Sequence, residues 1–144
     1  MKKYSILFLM FSLATSFAVA QNIELPSSKE KVIEINESKD HLYSKAIEWM
    51  LSSFGSERRT IEYSDKEVGI IRGREKPLIP SVSTQKQKDF AVITITVKDK
   101  ILNIKASPND PLIYKDSLEA KGFNANVDIL LQGFELYMKK KTKD

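Results

Sequence analysis

The chain has 144 residues, 42% of them hydrophobic and 29% charged, and a formal net charge of +4. That length suits one domain, which excludes a multidomain enzyme. The absence of cysteine excludes disulfides, thiolate metal sites and a cysteine nucleophile, and the single histidine, His41, excludes any metal site that needs two imidazoles.

The N-terminus predicts a cleaved secretory signal over residues 1–20. Lys2 and Lys3 supply the positive start, an apolar run follows from Tyr4 to Leu13, and Ala18-Val19-Ala20 forms a small-residue cleavage box before Gln21. A spanning helix needs about 20 apolar residues, and this run is shorter and interrupted at Ser12, Thr15 and Ser16. Without a cysteine the chain cannot be a diacylated lipoprotein. The expected mature protein starts at Gln21, is periplasmic or secreted, and has no membrane span after signal cleavage. Of 23 basic residues, two lie in the leader, leaving 21 against 19 acidic ones. That near-balance is weak support for a polyanionic partner.

Residues 21–30 read as a loose lead containing Pro26-Ser27-Ser28. Residues 31–36 (KVIEIN) alternate as a short strand. Residues 38–54 form the clearest helix, with Ser38 as N-cap, Asp40 in the first turn, and Leu42, Ala46, Met50 and Phe54 repeating every fourth residue before Gly55. Two hairpins follow. With Asp65-Lys66 as a two-residue loop, Ser64 faces Glu67, Tyr63 faces Val68 and Ile61 faces Ile70, which puts the apolar residues on one face. With Asp99-Lys100 as the second loop, Val97 faces Leu102, Ile95 faces Ile104 and Ile93 faces Ala106. A longer loop than Asp-Lys would change a register. The polar, proline-containing segment 75–89 is an excursion between the hairpins, and 107–116 is a turn-rich connection. Residues 117–140 carry a second helical stripe of Val127, Leu130, Leu131, Phe134, Tyr137 and Met138, with a candidate break at Gly122-Phe123-Asn124.

The order is β-α-β-β-β-β-α. Two amphipathic helices need an apolar surface, and the hairpins offer one dry face. The predicted fold is α+β, a five-stranded antiparallel sheet with both helices packed on one face, built from a single domain over residues 31–141.

The stretches SKDHLYSKAIEWM (38–50), DKEVGIIRG (65–73) and FAVITITVKDKILNIKA (90–106) make the chain resemble a secreted Bacteroidota family known as a domain of unknown function with a TBP-like fold. The resemblance extends over most of the mature chain, from about Lys31 to Tyr137. It implies the same β-α-β4-α architecture and export from a Gram-negative cell. It brings no activity and no functional residues, and a TBP-like shape does not bring DNA binding with it.

The uncovered sheet face is the expected binding surface. In the predicted registers it carries Thr60, Glu62, Thr94, Thr96, Asn103 and Lys105, has Ile71 and Val92 at its centre, and is cut low by Gly69 and Gly73. The glycines leave room for a ligand or a second chain, or mark a bulge or strong twist. Arg59 and Arg72 fall opposite each other, an unfavourable pairing that is offset by a bound anion or by a neighbouring acid such as Glu57 or Glu75, unless the register itself is different. His41 beside Asp40 is either an oriented base or an exposed helix residue, and no nucleophile is placed near it. No aromatic residue is expected on the open face, which argues against nucleic acid. There is no phosphate loop, no zinc-protease motif and no acidic calcium loop, so no cofactor or metal is expected. The residues therefore suggest a non-enzymatic binding or scaffolding domain. It would meet an envelope protein or polar ligand through the open face, a sheet edge or the 76–89 loop. A small carboxylate hydrolase or lyase, and an inhibitor or sensor with an inserting loop, are the alternatives.

Overall fold

The computed structural model describes residues 25–54, 60–74, 91–111 and 117–140. The elements are β1 (Lys29–Glu34), α1 (Lys39–Phe54), β2 (Ile61–Asp65), β3 (Ile70–Arg74), β4 (Ala91–Lys98), β5 (Ile101–Pro108) and α2 (Ser117–Lys139). The strands form one antiparallel sheet in the order β1-β5-β4-β3-β2. Both helices lie on one face, α1 over β4 and α2 over β1 and β5, so the expected α+β architecture is the observed one. The leader and the 76–89 loop lie outside the described residues. No helix among those described is long and apolar enough to cross a membrane.

The second hairpin has the predicted register: Val97 opposes Leu102, Ile95 opposes Ile104 and Ile93 opposes Ala106. All six are fully buried. They meet Leu42, Ala46 and Met50 of α1 and Val127, Phe134 and Met138 of α2. Trp49 packs edge-on against Phe134, with ring centroids 4.7 Å apart, and joins the two helices. Ser38 caps α1 as expected, its hydroxyl accepting from the His41 amide. The α2 helix runs unbroken through Gly122-Phe123-Asn124, because Asn124 is held from outside. Its Oδ1 accepts from the Ser27 amide at 3.1 Å, and its side-chain amide donates to the Leu25 carbonyl. The lead is thus strapped to α2 from Leu25 onward, and β1 begins two residues earlier than predicted.

The first hairpin departs from expectation. Its loop is the four residues Lys66 to Gly69, giving pairs Asp65–Ile70, Ser64–Ile71, Tyr63–Arg72 and Ile61–Gly73, with a bulge between Ile61 and Tyr63. The cause is Asp65. Its side chain accepts from the Val68 amide at 2.9 Å, and its carbonyl accepts from the Gly69 amide at 2.8 Å. Gly69 leaves the turn at φ +81°, a conformation open to glycine. As a result Ile71, not Ile70, enters the core, while Tyr63 and Val68 are 52% and 59% exposed. The expectation that Tyr63, Val68 and Ile70 lie under the helices is corrected. Only Ile61 keeps its side, because the bulge inverts the alternation there.

Polar contacts tie α2 to its neighbours. Lys45 of α1 is buried and donates to the carbonyls of Met138 (2.9 Å) and Lys140 (2.8 Å), so it caps the end of α2. From edge strand β1, Lys29 pairs with Asp128 at 2.6 Å, and Lys31 pairs with Glu135. Hydrogen bonds from Lys139 and Lys31 pull the Glu135 carboxyl from its ordinary 4.5 down to about 2. The folded state therefore resists protonation of Glu135 more than the unfolded state does. Its stabilisation is complete above about pH 4.5 and is lost as the pH falls toward 2. Glu135→Gln is expected to lower the denaturation midpoint at pH 7, and the gap from wild type should close between pH 4.5 and 2. Urea titrations at pH 7 and pH 3 check this. An equal gap at both would show that the carboxylate charge contributes nothing.

Candidate functional site

The sheet has helices on one side only among the described residues, and its other face is the candidate site. Alternation decides which residues stand there. From β5 come Asn103 and Lys105, from β4 Val92, Thr94 and Thr96, and from β3 Ile70, Arg72 and Arg74, each one residue out of phase with the buried set. Cross-strand pairs arrange these in rows. Val32, Asn103, Thr96 and Ile70 form one. Glu30, Lys105, Thr94, Arg72 and Tyr63 form the next. Ser107, Val92 and Arg74 form a third. Ser28 extends this last row by hydrogen-bonding its hydroxyl to that of Ser107 at 2.9 Å.

Of the residues expected here, Thr94, Thr96, Asn103 and Lys105 are in place, the first three half-buried and Lys105 exposed. Glu62 is at the β2 edge and ion-paired to Arg74 at 2.5 Å. Four others are elsewhere. Thr60 is buried, and its carbonyl accepts from the Arg74 amide at 3.0 Å. Ile71 is fully buried under the helices. Gly73 also faces the helices, where a Cβ would collide with the Thr60 carbonyl oxygen and Met50 Cε. Gly69 is the turn residue, packed on the Val97 carbonyl. The glycines therefore serve close packing in the fold and do not notch the open face. Arg72 stands opposite Tyr63 and Thr94, so the expected confrontation with Arg59, which lies outside the described residues, does not arise from this register.

The corrected register also brings in residues that the predicted one placed elsewhere. Tyr63 is an aromatic on this face, contrary to expectation, and its hydroxyl donates to Asp65 at 3.3 Å. The negative charge of Asp65 pushes the phenol above its ordinary value of 10.0, so it remains a donor at neutral pH. Across the three inner strands the charged residues of the face are all basic: Arg72, Arg74, Lys98 and Lys105. The acids, Glu30, Glu34, Glu62 and Asp65, are confined to the two edge strands. At the centre, Asn103 Oδ1 is buried from solvent and has no hydrogen-bond donor. Away from this face, His41 is an exposed helix residue, with Nε2 3.4 Å from Glu37. Among the described residues no three His, Asp or Glu side chains are grouped to hold a metal ion.

The fold recurs in solved structures. A DUF4468 family protein from Bacteroides ovatus matches with a TM-score of 0.54 and 13% identity, over 84% of this chain and 94% of that one. A TBP-like protein from Parabacteroides distasonis matches with a TM-score of 0.53 and 18% identity, over 80% of this chain and 94% of that one. At such identities the likeness concerns the fold alone. No curated protein matches the chain. The family model described as a domain of unknown function (DUF4468) with TBP-like fold matches residues 29–108, the whole of the sheet and α1, and the chain belongs to that family.

Proposed function

We propose that the protein is exported by its N-terminal leader and acts as a non-enzymatic binding or scaffolding module. On this reading it receives an envelope protein, or a polar ligand with anionic groups, on the open sheet face. The observation that carries the proposal is Asn103. A buried carbonyl oxygen with no donor costs about 1–3 kcal/mol, and this one sits mid-sheet among threonines, with Arg72 and Lys105 in the adjoining row. Turning the half-buried Asn103 side chain outward offers this acceptor to a ligand donor, and the surrounding cations suit a partner that also carries acids. Small apolar side chains, Val92 and Ile70, give the centre a modest dry contact inside a polar rim.

The arrangement favours this over a carboxylate hydrolase or lyase. The acids of the face stand on β1 and β2, opposite edges of five strands, and strand spacing separates those edges by roughly 19 Å. Paired catalytic carboxylates work at about 5–9.5 Å. Glu62 is also taken up by Arg74, and Asp65 by its turn. One exposed tyrosine is too little for a base-stacking platform, so nucleic acid is not the partner we propose.

Asn103→Val tests the reading. It removes the orphaned acceptor and should stabilise the isolated protein by about 1 kcal/mol, while weakening capture of the partner from envelope extracts. The wild-type protein recovered alongside should begin at Gln21. If the variant captures the same partners in the same amounts, the open face is not the binding site.

A further inference from the structure

Alternation on the inner strands places two cations on the open face with one hydroxyl between them. Lys105 of β5 stands opposite Thr94 of β4, and Thr94 stands opposite Arg72 of β3. With neighbouring strands about 4.8 Å apart, the two cationic side chains start roughly 10 Å from each other. Both are exposed, and Thr94 is half-buried between them. Like charges this close repel unless something neutralises them. For other cations the fold supplies the neutralising group. Lys29 pairs with Asp128, Lys31 with Glu135 and Arg74 with Glu62, while Lys39 and Lys45 donate to backbone carbonyls. Arg72 and Lys105 have neither an ion pair nor a side-chain hydrogen bond among the described residues. Glu30 faces Lys105 from edge strand β1 without pairing to it. Tyr63 faces Arg72 from β2 and turns its hydroxyl to Asp65. Lys98 is unpaired too, but it stands farther along β4, roughly 14 Å from Thr94.

This arrangement selects among anions. Long stems let the two charged ends close over the Thr94 hydroxyl, one from each side, with the hydroxyl donating from below. A carboxylate carries a single charge and two oxygens in one plane, which suits one of the two cations. A phosphate monoester carries nearly two charges at neutral pH and three strong acceptor oxygens, which matches two cations and a hydroxyl that approach from three directions. We infer that Arg72, Thr94 and Lys105 form a site for the phosphoryl group of a small soluble phosphate monoester. The inference rests on the open face being the binding surface, and it names the group that this face takes. The acids of the face indicate the source. Glu30 and Glu34 line one edge of the sheet, and Glu62 and Asp65 line the other. A single phosphate on a small molecule fits between these rims, whereas an anionic bilayer laid across the face meets both.

An NMR titration of the exported protein, expressed from the full chain, with methyl phosphate at neutral pH tests the inference. The expected result is saturable shifts at the Arg72, Thr94 and Lys105 amides, with a Kd in the millimolar range. Methyl sulfate has the same shape and a smaller charge, and should bind about tenfold more weakly. Arg72→Gln and Lys105→Gln should each weaken methyl phosphate by about tenfold. Lys121→Gln removes an exposed charge on α2 instead, and should change the affinity by less than about twofold. Glu30→Gln removes the carboxylate that competes for Lys105 and should tighten binding. All four side chains substituted here are solvent-facing or, like Lys121, on the helix surface, so none is needed for packing. Absence of saturable shifts at these amides overturns the site. So does equal binding of methyl sulfate, or equal weakening by Lys121→Gln, which marks diffuse attraction. Co-sedimentation with phosphatidic acid vesicles overturns the soluble source. The titration needs no partner, so the two readings fail separately. If Asn103→Val lowers capture but methyl phosphate shifts nothing, the face binds and the phosphate site is wrong. Methyl phosphate binding with capture unchanged keeps the site and removes the envelope protein from this face.

Discussion

Truncating Ile95 to alanine is expected to cost about 2–5 kcal/mol of folding free energy. Ile95 is fully buried at the middle of β4, the central strand, opposite Ile71 on one side and Ile104 on the other. Both of those side chains are also fully buried, and the helices close the core above them. The lost methyl groups leave a void that neighbours fixed by two ladders of hydrogen bonds cannot fill. The upper half of the range is therefore the better expectation, because sites that cannot collapse lose most. Urea denaturation gives the value directly. A loss under about 0.5 kcal/mol is the size seen for surface positions, and would contradict the layered core.

The same strand shows why much of the fold could be read from the residues. Ile93 to Val97 alternates apolar and polar without interruption, and Ile101 to Ala106 answers it in one register only, since a slip by one would bury Asn103 and Lys105. The first hairpin lacks that protection. Ile70 and Ile71 are adjacent and equally apolar, so alternation does not say which of them faces inward. The choice is made by Asp65, whose side chain folds the four-residue loop, and by Gly69 at its positive-φ exit. A bulge on β2 then changes the count once more. An aspartate four residues before a glycine was the available signal for the longer loop; nothing in the periodicity signals the bulge. The candidate face inherited this asymmetry. Its β4 and β5 residues were legible, and its β3 and β2 residues, Ile70, Arg72, Arg74 and Tyr63, followed only from the observed register. The orphaned Asn103 acceptor was not legible at all, because satisfaction of a hydrogen bond depends on three-dimensional neighbours.

Gly73→Val should be the most damaging single substitution in the first hairpin, and it distinguishes the observed register from the predicted one. In the observed pairing Gly73 lies beneath α1, with the Thr60 carbonyl oxygen and the Met50 methyl occupying the space a Cβ would need. Met50 Cε is the end of a flexible side chain and can move. The Thr60 carbonyl cannot, because it is backbone and accepts the Arg74 amide at 3.0 Å. A branched side chain therefore has to push β2 off β3 or expel Met50 from the core. Overpacking alone costs about 1–3 kcal/mol. Loss of the edge pairing adds to it, so a total of at least about 3 kcal/mol is expected. Had Gly73 stood on the open face, valine there would have been neutral or mildly favourable in a strand. The complementary controls are Tyr63→Ala and Val68→Ala. Both side chains are mostly exposed, and each should change stability by no more than about 0.5 kcal/mol. Guanidinium titrations of the three variants side by side decide the matter: a tolerated valine together with strongly destabilising alanines would restore the shorter loop and place Tyr63 and Val68 in the core.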